Sequence, residues 1–211
     1  KEPFKPGEAL HRFFTHVLSQ RTVLRRGAAS VAHILLFSGF VVLFIGTTLL
    51  SFEHFGAAAL GREPTNPIFH KGLYFALYEA VLDTFGIALL VGCVIFAKRR
   101  LKRPASLGHD AADWAVLGAL FAVGVTGYLV EALRITREQT PGAEFSFVGL
   151  AVARLLRVGG LTQASASPLH FGLWWVHAVL ALGLVAAFPY TRLLHALAGT
   201  LRLVCPASPL G

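Results

Sequence analysis

Four long apolar runs decide most of what this 211-residue chain can become. They cover roughly residues 28–52, 70–97, 112–134 and 169–199. Each is longer than the about 20 residues a helix needs to cross about 30 Å of hydrocarbon. Inside hydrocarbon the backbone polar groups must bond within their own element, so runs of this length read as helices. Composition agrees, with 55% of residues hydrophobic and 14% charged, against about a quarter charged in a soluble domain. The expected fold class is an all-α membrane protein: four transmembrane helices in a bundle, with two amphipathic helices beside it. One of these precedes the first span, and the other covers 145–158 on the outer surface.

Basic residues orient the bundle. Lys1, Lys5, Arg12, Arg21, Arg25 and Arg26 precede the first span, and Lys98, Arg99, Arg100, Lys102 and Arg103 follow the second. The 53–69 loop holds only Arg62, although Arg137, Arg154 and Arg157 lie in the opposite-side loop 135–167. The positive-inside bias therefore predicts a multi-pass membrane protein with both ends cytoplasmic. Residues 1–27 form a cytoplasmic interfacial segment, 28–200 the membrane domain, and 201–211 the start of a cytoplasmic tail or linker. The net charge of +8 is explained by topology; the bilayer is the implied partner, and nothing calls for nucleic acid. Cys93 and Cys205 stand alone, without CxxC or CxxCH. The segment therefore holds neither c-type haem nor an iron–sulfur cluster of its own.

The histidines carry the chemistry. His177 and His195 fall on one predicted helix, and eighteen residues at 100° each return the second imidazole to the face of the first, about 27 Å further on. Ionisable groups at membrane depth are costly and call for a partner, and neutral imidazole is a common axial ligand of haem iron. Two b-type haems are the expected cofactors. His33, seven residues after Arg26, matches His195 in depth at the inner side. For His177 the outer partner is His70 at the start of the second span, with His54 at the end of the first as the alternative. His170, two turns before His177 on the same face, reads as a quinone-site or propionate-contacting group. His11, His16 and His109 read as solvated.

Acids complete the candidate set. Asp83 lies near the middle of the second span, with Glu79 one turn away on the same face. Either the pair takes protons from a quinol, or it is a protonated acid bonded between helices. Glu131 and Arg134 close the third span at i,i+3 spacing, fit for a local ion pair; Glu131, His170 and Asp83 are the candidate proton-handling residues. Pro189 is expected to kink the fourth helix. Gly39, Gly46, Gly86 and Gly92 permit close approach of a neighbouring helix or a porphyrin face. Two rival readings are a small transporter using Asp83 and Glu79, and a haem-free membrane anchor of a redox complex.

The stretch WWVHAVLALGLVAAFPYTRLLH resembles the last haem-bearing helix of the respiratory nitrate reductase gamma-subunit superfamily. VLSQRTVLRR, AHILLFSGFVVLFIGTTLL, LYFALYEAVLDTFGIALLVG, KRRLKRP and VTGYLVEALRI are similar to the branch holding the heterodisulfide reductase cytochrome b subunits. The resemblance implies a two-haem subunit that exchanges electrons with a membrane quinone and an iron–sulfur subunit or domain on the cytoplasmic side. By position, His33, His177 and His195 match its ligands. The classical gamma subunit takes its fourth ligand from the same helix, ten residues after the His33 position, where this chain has Leu43.

Overall fold

The computed structural model describes residues 28–61, 68–102, 110–139, 141–191 and 194. Five helices account for most of them: α1 (Ala28–Ala59), α2 (Gly72–Leu101), α3 (Ala111–Glu138), α4 (Phe147–Val158) and α5 (Gln163–Ala186). Short 3-10 turns at Ala143–Phe145 and Phe188–Tyr190 precede α4 and follow α5. α1, α2, α3 and α5 are each long and apolar enough to cross a membrane, and no strand occurs among the described residues. The chain is thus an all-helical, multi-pass membrane protein. Residues 1–27 and 195–211, with His11, His16, His195 and Cys205, lie outside the described residues, as does His109.

The long helices pack as two antiparallel pairs, α1 with α2 and α3 with α5. Small residues set the first pair. A methyl group placed on Gly39 would stand 2.7 Å from the Leu89 nitrogen, and one on Gly92 would stand 2.7 Å from the Leu36 nitrogen. The two backbones therefore meet directly, as small residues allow in membranes. Gly46 and Gly86 instead leave room for the side chains of Leu82 and Tyr128. Between the pairs, α2 and α3 share a shorter contact, while α1 and α5 scarcely meet. Leu89, Cys93, Leu117, Leu120 and Leu184 form the main buried cluster. Arg100 is paired with Asp113 at 3.2 Å where α2 ends and α3 begins.

Three expectations change. α1 continues through Ala59, seven residues past its expected end, and Glu53 is buried there. Its carboxylate receives the backbone N–H of Ile68 and, at 3.1 Å, of Phe69, which closes the connection to α2. His70 precedes α2, whose N-cap is Lys71.

The fourth span differs most. α5 starts six residues early, because Thr162 and Ser165 form a capping box that satisfies the first-turn donors. It ends at Ala186, followed by the 3-10 turn containing Pro189 and by Thr191 in extended conformation. Pro189 lacks a backbone N–H and its ring clashes with the turn before it, so it ends the helix. The helix that carries His177 therefore ends nine residues before His195, a position outside the described residues.

Candidate functional site

An apolar-walled cavity of about 640 Å³ runs between the α1–α2 pair and the α3–α5 pair, within the about 300–1,000 Å³ of small-molecule and cofactor sites. His70, Glu79, Asp83, Glu131, Arg134, His170 and His177 all line it, as do Ser146 and Trp174. Leu43 contributes to the apolar wall. His33 and His54 are not among the lining residues. The His33 ring stacks on Phe37 at 6.0 Å, and exposed His54 lies edge-on to Phe55 at 5.6 Å. The lining residues that remain exposed, among them Phe44, Leu50, Trp174 and Leu182, belong to α1 and α5.

His177 is held by a residue the sequence reading passed over. In an apolar helix a threonine hydroxyl commonly bonds back to the carbonyl four residues earlier, and Thr126 Oγ1 donates to the Ala122 oxygen at 2.7 Å. With that proton committed, the same oxygen can only accept from His177 Nδ1, 2.9 Å away. In that arrangement His177 would be the Nδ1–H tautomer, with the lone pair on Nε2. Gly127 makes room for the ring; a methyl group there would stand 3.4 Å from its Cε1. A neutral imidazole oriented through Nδ1 by an oxygen acceptor is the usual setting of a metal-ligating histidine.

His70 has a different setting. Tyr74, Phe75 and Tyr78 surround its ring edge-on at 5.9, 5.1 and 4.7 Å between centroids. Its Nε2 lies 3.7 Å from Glu79 Oε1, a charge-pair distance rather than a hydrogen bond. It joins the cavity to a polar cluster. Arg134 forks onto Glu131, Nε to Oε2 at 2.8 Å and Nη2 to Oε1 at 2.7 Å, and also reaches Glu79 at 3.0 Å. The expected local ion pair is thus part of a bridge between α2 and α3. Ser146 Oγ donates to the other Glu79 oxygen at 2.5 Å. His170 Nδ1 lies 3.2 Å from Arg137 Nη1.

Asp83 is occupied from both sides. Its carboxylate accepts the backbone N–H of Val148 at 2.6 Å and of Gly149 at 3.3 Å, at the start of α4. Its backbone carbonyl accepts the Tyr128 hydroxyl.

The cluster yields a stability prediction. Arg134→Ala leaves two neighbouring carboxylates without their shared cation, with an expected cost of about 3 kcal/mol, the scale of breaking one side of a buried pair. Arg134→Lys keeps the charge but loses the fork, so it is expected to melt between the two. Thermal midpoints in detergent provide the measurement.

A family model for the nitrate reductase gamma subunit matches residues 14–207. The chain is 26% identical over 209 residues to the EtfAB:quinone oxidoreductase of Syntrophomonas wolfei, covering 93% of this chain and 28% of that protein. It is 29% identical over 195 residues to a component of the dihydromethanophenazine:CoB–CoM heterodisulfide reductase of Methanosarcina thermophila, covering 89% and 62%. The probable iron-sulfur-binding oxidoreductase FadF of Bacillus subtilis is 21% identical over 192 residues, covering 91% and 26%. The chain therefore spans less than two thirds of the length of each of these curated relatives. No solved structure matches it.

Proposed function

Because the chain belongs to the nitrate reductase gamma subunit family, we propose that it is a membrane cytochrome b subunit linking a quinone pool to an iron–sulfur partner on the cytoplasmic side. The relatives' names support the two ends of that chemistry: one contains a quinone, another an iron–sulfur-binding oxidoreductase. Membership in this family supports haem as the cofactor. Bound haem supplies reversible one-electron carriage, tuned by its axial ligands and their surroundings.

His177 carries the reading. Its Nε2 lone pair, its Thr126 anchor and the apolar 640 Å³ cavity beside it fit one haem. His70 is the second ligand we assign to that site, since it lines the cavity while His54 stands exposed outside it. His33 and His195 remain the proposed ligands of the other haem. Quinol is placed at the polar end, where Glu131 and His170 accept protons. Arg134 is already paired with three carboxylates, Glu79, Glu131 and Glu138, so its task is to hold Glu131 in place rather than to bind a further anion. The proposed setting is a prokaryotic inner membrane with both ends of the bundle cytoplasmic.

Reduced-minus-oxidised visible spectra of the full-length protein in detergent, with a pyridine haemochrome, count the haems. Two b haems per chain are expected, and a colourless protein overturns the proposal in favour of a haem-free anchor. Thr126→Val removes the acceptor for Nδ1 while preserving shape. Loss of such an outer partner weakens metal-site affinity about 10–100-fold. The expected result is faster haem loss on dilution and a shifted midpoint potential for that site alone.

A further inference from the structure

The connection between α3 and α5 does not stay at the end of the bundle. It follows α2 inward. A methyl group on Gly142 would lie 3.0 Å from the Phe75 ring, Ser146 bonds Glu79, and Val148 and Gly149 bond Asp83. Phe75, Glu79 and Asp83 are successive turns of one face of α2, so the chain descends about 12 Å along that helix. Gly142 makes this possible with φ 83°, a left-handed conformation that costs glycine little. The chain then climbs back through α4: Gly149 against Glu131, Arg157 Nη2 on the Ile135 carbonyl at 3.2 Å, and Gln163 Nε2 on the Arg137 carbonyl at 2.8 Å.

Depth follows from α2 itself. Asp83 comes eleven residues after Gly72, about 16 Å along the axis. The 30 residues of α2 make a helix about 45 Å long. Centred on about 30 Å of hydrocarbon, that helix puts Asp83 well below the polar boundary. The first N–H groups of a helix have no intrahelical acceptor, and in hydrocarbon such groups must find a protein partner. α4 has no side-chain cap of its own, because the Ser146 hydroxyl is spent on Glu79. Asp83 supplies the acceptor from another helix. Charge is distributed to match: 145–153 is free of charged side chains, whereas Glu144 precedes it and Arg154 and Arg157 follow. Phe145, Phe147, Leu155 and Val158 are all exposed.

We propose that residues 141–161 form a re-entrant segment whose tip is pinned inside the membrane by Asp83 and Glu79, with its exposed apolar side chains against lipid acyl chains. Asp83 is then a positioning residue for α4 rather than a carrier of quinol protons. The proposal rests on the membrane placement of the four long helices and is independent of haem.

Cysteine accessibility in the full-length holoprotein tests it, with Cys93 and Cys205 replaced by alanine and the protein in phosphatidylcholine vesicles. Phe147→Cys at the tip and Val158→Cys at the rim are each exposed to a charged maleimide that reacts only in water. The rim cysteine is expected to react at once, and the tip cysteine several-fold more slowly, until denaturation in dodecyl sulfate releases it. Equal rates overturn the re-entrant placement. Asp83→Ala is expected to raise the tip rate several-fold, and Asp83→Asn, which keeps one acceptor oxygen, to restore most of the protection. An unchanged tip rate in Asp83→Ala overturns the role given to Asp83. Should Asp83→Ala not fold, Asp83→Asn and the wild-type comparison of the two positions still decide. The haem spectrum, read on the same samples, separates failure here from failure of the cytochrome reading.

Discussion

His177→Ala is expected to leave the protein with one of the two b haems proposed for the parent. The expectation follows from the proton inventory at Thr126: a hydroxyl that donates to Ala122 would accept from His177, which would leave the lone pair on Nε2. His70→Ala is expected to lose the same haem, because both rings line one cavity, and the double variant should lose no more than either alone. His54→Ala should leave the spectrum unchanged, since that ring is exposed away from the cavity. A pyridine haemochrome on each purified variant gives the count. A full complement of haem in His177→Ala would remove the central support of the cytochrome reading.

Gly92→Val is expected to have the largest effect on stability. The first added carbon would already sit 2.7 Å from the Leu36 nitrogen and 3.0 Å from its Cα. These are backbone atoms that cannot rotate away. Overpacking of this kind costs about 1–3 kcal/mol and occasionally more, and valine at a backbone crossing belongs at the upper end. At about 2–4 °C per kcal/mol for a chain of this size, a drop of about 6–12 °C in the thermal midpoint is expected. Gly118→Val serves as the control, because nothing lies within 4 Å of its missing Cβ. Equal melting of the two variants would mean that the α1–α2 crossing is not what holds the first pair together.

The spans were legible because run length and hydropathy are local properties, and the hydrocarbon requirement leaves one element able to meet them. Helix ends were less so. Pro189 announced a disturbance, but a kink and a stop differ by whether the following residues find helical partners, which the local sequence does not encode. The histidines His54 and His70 looked alike as span-end residues; they separate only once α1 and α2 pack and one ring turns into the cavity. Thr126 gave no signal, since a threonine in an apolar helix ordinarily bonds its own backbone, and its second role needs a histidine 51 residues away. The Glu79–Arg134 contact spans 55 residues, so i,i+3 spacing revealed only the Glu131 half. The amphipathy of 147–158 was readable, but not its depth, which is fixed by Asp83 on a helix two elements earlier.

The looseness between α1 and α5 has a consequence for traffic. The cavity's walls on α2 and α3 have no exposed lining residue, whereas those on α1 and α5 do. Its mouth is therefore a slot between two helices, facing sideways into the acyl chains rather than up into water. For the quinone proposed above, such a mouth would give an oil-soluble guest a route to His177 from within the bilayer. On that proposal, selectivity for greasy molecules would come from where the door is placed, before any side chain has recognised anything.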